Sequence, residues 1–113
     1  MECSLADKKC TPCKGGVPPL HGVELGRLTA ELGGGWKVVD EHHLEKTYPF
    51  KNFRDALAFT NRVGDIAEEQ GHHPTITIIY NKVKITLTTH AAGGLTDNDF
   101  IMARIIDDIG GES

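Results

Sequence analysis

Between Thr75 and Thr88 the chain alternates apolar and polar residues with little interruption. Ile76, Ile78 and Tyr80 share one parity, and Thr75 and Thr77 share the other. Val83, Ile85 and Leu87 alternate in the same way with Lys84, Thr86 and Thr88. A period of two predicts two half-buried strands. Asn81-Lys82, at the junction, predicts a two-residue hairpin turn. Upstream the period lengthens to that of a helix. Phe53, Ala56, Leu57, Thr60, Val63, Ile66 and Ala67 mark one face of a helix over residues 53–70. Asn52 stands at its N-cap, and Gly71 stands where a left-handed C-cap glycine belongs. Gly64, inside it, costs about 1 kcal/mol against alanine and permits a close contact.

The flanks are less regular. Leu25, Leu28 and Leu32 recur at helical spacing within residues 20–32, and Gly33-Gly34-Gly35 stops that helix; Gly26 weakens it. Two strands follow, residues 36–40 and 44–50, joined by the polar turn Glu41-His42-His43. Pro49 marks an edge or a strand end. After the loop "HAAGGL", Thr96 caps a last helix that runs to about Ile109, with Asp99 at the third position of a capping box. Phe100, Met102, Ala103, Ile106 and Ile109 are its candidates for burial. The order is α-β-β-α-β-β-α, an α+β fold with a four-stranded antiparallel sheet and helices packed on one face. The opposite face must be covered or solvated, and a second subunit is one way to cover it.

Composition narrows the class. The 113 residues suit one domain, able to bury about two-thirds of its unfolded surface. Residues 1–19 are polar and end in "KGGVPPL", so they are expected to form a flexible N-terminal leader, with residues 20–113 as the domain. A net charge of −4 argues against nucleic acid. No apolar run approaches the ~20 residues of a membrane span, and the N-terminus lacks the apolar core of a secretory signal. Three cysteines, Cys3, Cys10 and Cys13, with no export signal, fit a reducing cytoplasm. Cys10 and Cys13 have ligand spacing, but a zinc site needs a second pair and none is present, so no metal is expected. There is no glycine-rich phosphate loop.

The candidate chemistry lies in His72-His73-Pro74 and His90, which bracket the two alternating strands. With Asn81-Lys82 as the turn, Tyr80 faces Val83, Ile78 faces Ile85, and His73 lies opposite His90. Opposed Cβ atoms are about 5 Å apart, so both rings could reach one ligand. Glu68, four residues before His72, is placed to reach its ring or backbone and fix its tautomer. Imidazole both gives and takes protons near neutral pH. Three such groups suit a reaction with two proton transfers, such as elimination of water. Each residue also has a plainer reading. His42-His43 is a solvated turn, Asp99 a helix cap, Tyr80 core, Glu68 surface charge, and Trp36 a core anchor or a pocket wall. Successive strand residues point to opposite faces, which argues against His72 and His73 sharing a metal.

Glu68, His72-His73-Pro74, Tyr80-Asn81, His90 and Asp99, at their spacing, form a pattern, "HHP…YNKV…LTTH…GGLTDND", that closely resembles the pterin-4a-carbinolamine dehydratase family. The likeness extends through "GW" and "YPFKNFRDALAF", over nearly everything after Leu20. It implies an α+β domain assembling as homodimers or homotetramers. The implied activity is dehydration of 4a-hydroxytetrahydropterin to quinonoid dihydropterin, which recycles the cofactor of aromatic amino acid hydroxylases. No metal or organic cofactor is implied. His72, His73 and His90 match the catalytic, pterin-site histidines of the family. Glu68 and Asp99 match its acidic positions, and Pro74 and Tyr80 complete the supporting set. The family often has an acidic residue just before the first histidine, where this chain has Gly71. Similar proteins also serve as transcription-factor partners, so a non-catalytic protein-binding module is one alternative. A molybdopterin-handling pterin binder is another.

Overall fold

The structure, a computed structural model, describes residue 20 and residues 22–110. The expected leader, with Cys3, Cys10 and Cys13, lies outside the described residues. The elements run α1 (Gly22–Leu32), β1 (Lys37–Val39), β2 (His43–Pro49), α2 (Phe53–Gln70), β3 (Thr75–Ile79), β4 (Lys82–Leu87), a 3₁₀ turn (His90–Ala92) and α3 (Asp97–Gly110). The four strands form one antiparallel sheet in the order β1-β2-β4-β3. β4 is therefore central, between β2 and β3, and β3 is an edge strand. Among the described residues, no helix is long and apolar enough to cross a membrane.

Strand parity sets the core. Leu44 and Tyr48 of β2 and Val83, Ile85 and Leu87 of β4 are buried beneath the helices. The alternate residues, among them Glu45, Thr47, Lys84 and Thr86, form the other, largely polar face. From the helical layer come Leu25, Leu28 and Leu32 of α1, Phe59 and Val63 of α2, and Phe100, Met102 and Ile106 of α3. α2 begins as its caps dictate. Asn52 accepts the Asp55 N–H on its side-chain oxygen at 2.8 Å, and Gly71 at φ 68° returns its N–H to the Ala67 carbonyl.

The β3–β4 register differs from the expected one by two residues. Ile79 pairs with Lys82 and Ile76 with Ile85, so the turn is Tyr80-Asn81. Tyr80 takes the left-handed conformation, φ 49°, that closes it. A shift of two preserves which side chains face inward, so the alternation could not detect it. It does remove the expected pairing of His73 with His90.

A polar cluster around Asp107 pins the end of α3 to the sheet. Asp107 accepts hydrogen bonds from Trp36 Nε1 at 3.0 Å, from Lys46 Nζ at 2.8 Å and from the Tyr48 hydroxyl. Burial, aided by the Asp107 carboxylate, pushes the Tyr48 phenol far above its ordinary pKa. Trp36 is thus a core anchor with its one polar atom satisfied.

Candidate active site

The end of α2 aims the two adjacent histidines. Left-handed Gly71 turns the chain off the helix axis, and the His72 N–H still reaches back to the Ala67 carbonyl at 3.2 Å. Pro74 favours an extended conformation at His73, and β3 begins one residue later. The two rings part company here. His72 turns inward to the start of α3, with Nε2 at 2.6 Å from Asp99 Oδ1. The His72 side chain is 13% exposed and Asp99 fully buried. His73 turns outward, with Nε2 at 2.6 Å from Glu68 Oε2, and both of those side chains are largely in solvent. Glu68 therefore supports His73 and not, as its spacing suggested, His72.

Asp99 is the node of the site. Its second oxygen, Oδ2, accepts the Thr89 hydroxyl at 2.8 Å and the Thr96 N–H at 3.0 Å. The second bond is half of a capping box, as the plain reading of Asp99 expected. Thr89 immediately precedes His90, which opens the 3₁₀ turn and lies exposed. Among the described residues, the His90 ring has no side-chain hydrogen bond. The structure places Asp99 against His72 and links it to His90 through Thr89.

Proton accounting fixes the tautomers. An ionised carboxylate only accepts, so His72 donates from Nε2 and keeps Nδ1 as a lone pair or a second N–H. The same logic applies to His73 on Glu68. Each imidazole is oriented by a carboxylate on one nitrogen and offers the other, the arrangement a general acid or base needs.

Antiparallel pairing brings the segments together. His72 and His73 precede β3, and His90 follows β4, so both lie at one end of the hairpin. Pro74 lies there too. Tyr80 does not: it is seven residues from His73, roughly 23 Å of extended chain. It is exposed in the turn at the other end, lining an open groove with Asn52, Phe53, Arg54 and Leu57. The His42-His43 turn, by contrast, is not merely a solvated connection. The Thr88 hydroxyl donates to the His42 carbonyl at 2.7 Å, tying that turn to the same end of the sheet.

Sequence reasoning passed over Thr89. Its signal was present: Val83, Ile85, Leu87 and Thr89 share the inward parity, so a hydroxyl continues an apolar series into the core. Among the described residues, no group of three or more His, Cys, Asp or Glu could hold a metal ion.

Comparison with known proteins gives the family. Residues 18–109 match the family model described as Pterin 4 alpha carbinolamine dehydratase. A protein of Rubrobacter xylanophilus named "Putative pterin-4-alpha-carbinolamine dehydratase" is 56% identical over 103 residues, covering 91% of this chain and 95% of its own. One of the same name from Alkaliphilus metalliredigens is 48% identical over 104 residues, covering 92% and 94%. The crystal structure of a transcriptional coactivator/pterin dehydratase from Brucella melitensis superposes with a TM-score of 0.76 at 34% identity, over 81% of this chain and 98% of that one. A pterin dehydratase-like RuBisCO assembly factor of the alpha-carboxysome shares the fold, with a TM-score of 0.60 at 24% identity over 73% and 96%. By sequence and by fold, the chain belongs to the pterin-4-alpha-carbinolamine dehydratase family.

Proposed function

We propose that this protein dehydrates a 4a-hydroxytetrahydropterin to the quinonoid dihydropterin and so recycles the pterin of aromatic amino acid hydroxylation. The C4a–O bond breaks, the hydroxyl leaves as water with an added proton, and a ring nitrogen gives up a proton. Two groups are needed, one acid and one base. His72 is the better base: it offers Nδ1, and the buried carboxylate behind it stabilises the imidazolium that forms. His90, exposed and without a side-chain partner among the described residues, is the acid for the leaving hydroxyl. His73, steadied by Glu68, holds the pterin, and Pro74 sets its direction. Tyr80 is too distant to take part within one chain. No metal or organic cofactor is required, because every transfer is of a proton.

The observation that carries this reading is the carboxylate of Asp99. It holds His72 by one oxygen and, by the other, Thr89, the residue before His90. The relatives' names and the family match support the reaction class. The test is a rapid-mixing experiment. Generate 4a-hydroxytetrahydropterin and follow its ultraviolet decay with and without protein. Faster decay with protein supports the dehydratase; equal decay discards it.

A second reading has its own observation. Phe53 and Leu57 of α2 and Tyr80 are apolar and exposed around one groove, and the Brucella relative's description includes coactivation. A protein-binding role on that face, including homodimer or homotetramer assembly, would survive loss of the histidines. Light scattering of a Phe53→Ala/Leu57→Ala variant separates it from the catalytic role.

A further inference from the structure

Thr89 sits where most of the backbone ties of the His90 loop meet. Its N–H donates to the Gly94 carbonyl at 2.9 Å, and its carbonyl accepts N–H bonds from Ala92 at 3.1 Å and Gly93 at 3.0 Å. Gly93 closes the turn in the left-handed conformation, φ 74°. The short loop carrying His90 is thus folded back on one residue. The side chain of that residue points the other way, into the core, where it is 4% exposed.

There the proton positions follow from chemistry. Thr89 Oγ1 lies 2.8 Å from Asp99 Oδ2 and 2.8 Å from Thr96 Oγ1. A hydroxyl has one proton to give, and an ionised Asp99 cannot donate. Thr89 therefore donates to Asp99, and Thr96 donates to Thr89. With the Thr96 N–H also on Oδ2, that oxygen is held from two directions, which leaves Oδ1 to meet His72 Nε2. Valine at this position would keep the fit to the core and lose the hydroxyl bond that joins the start of the His90 loop to the carboxylate.

We infer that Thr89 is a positioning residue of the site: its hydroxyl locks the Asp99 carboxylate onto His72 and holds the base of the His90 loop to the same carboxylate, fixing the spacing of the two imidazoles. This rests on the dehydratase reading for its kinetic consequence, but not for its structural one. His72 is served by Asp99 from α3, the only carboxylate within 4.0 Å of its ring among the described residues. Glu68 of α2 is turned to His73. Release of Asp99 consequently leaves His72 without a substitute partner. Misplacement on the 1 Å scale costs about a hundredfold in rate.

The test compares Thr89→Val with Thr89→Ser, using Thr89→Ala where valine impairs folding. In substrate-free protein, carbon–proton NMR signals of the imidazole rings are recorded for each. Removal of the hydroxyl is expected to move the His72 and His90 ring signals and leave those of His73 in place, with serine restoring them. In rapid-mixing kinetics, Thr89→Val is expected to lose about tenfold to a hundredfold in kcat with KM nearly constant, and Thr89→Ser to stay within about threefold. Unmoved His72 and His90 signals overturn the inference, and so does turnover in Thr89→Val within threefold of wild type. Failure of the dehydratase reading is separately visible, as a wild-type protein that leaves the carbinolamine decay unchanged.

Discussion

Replacing Asp99 by asparagine tests the site at its node with the smallest change of shape. The side chain is fully buried and has three donors around it: His72 Nε2, the Thr89 hydroxyl and the Thr96 N–H. An amide oxygen can still serve Thr89 and Thr96. The amide nitrogen then faces His72 Nε2, donor against donor. The imidazole resolves this by moving its proton to Nδ1, the nitrogen assigned as base, and the charge that stabilised the imidazolium is gone as well. Loss of one correctly presented general base costs about 10²–10⁴ in kcat, and KM should change little. A hydrogen bond to a charged group contributes about 1.5–3 kcal/mol. Part of it survives with the amide, so the stability loss should be about 1–2 kcal/mol. At about 4–8 °C per kcal/mol for a domain of this size, Tm should fall by roughly 5–15 °C. Urea denaturation and rapid-mixing turnover on one preparation measure both. A folded Asp99→Asn protein turning over within threefold of wild type would refute the reasoning.

Other outcomes follow from the same coordinates. Asp107→Ala leaves the Trp36, Lys46 and Tyr48 donors without their shared acceptor and should cost about 3 kcal/mol. The loss is read as a lower urea midpoint at unchanged slope, with turnover retained because Asp107 lies eight residues along α3 from Asp99. The phenol of Tyr48 has a folded pKa raised above its ordinary 10.0. Its stabilisation is therefore complete below pH 10 and declines above it, by up to about 1.4 kcal/mol per pH unit; alkaline denaturation of Tyr48→Phe should be shallower than that of wild type. Gly71→Ala puts a side chain on a backbone at φ 68° and should cost about 1–2 kcal/mol. Because His72 follows directly, turnover should fall as well. Glu68→Gln touches only a solvent-exposed pair and should change kcat by less than about tenfold, a surface pair being weak.

Much of the fold was legible because burial repeats with the local period. The caps of α2 at Asn52 and Gly71 and the inward parity of Ile76, Val83, Ile85 and Leu87 followed from residue type and spacing alone. The hairpin register did not. Parity is blind to a shift of two, and the choice between Asn81-Lys82 and Tyr80-Asn81 rested on an unusual left-handed tyrosine. That shift is why the expected face-to-face placement of His73 and His90 failed while the histidines still gathered at one end. The partners of the rings were illegible for a related reason. Glu68 could reach either neighbour, and the kink at Gly71 decided for His73. The Asp107 cluster joins residues 71 and 61 positions apart in sequence; no local pattern reports such a contact. The His42-His43 turn lies beside β4 because β2 and β4 pair across an intervening helix and strand, a topology the hairpin signals did not contain.

The most direct measurement is the decay of 4a-hydroxytetrahydropterin with wild-type protein and with a His72→Ala/His90→Ala double variant of matched circular dichroism. Each ring contributes about 10²–10⁴ as acid or base. The expected result is strong acceleration by wild type, partial loss in each single variant, and a double variant close to the spontaneous rate. A double variant that accelerates decay as wild type does would place the chemistry elsewhere in the molecule.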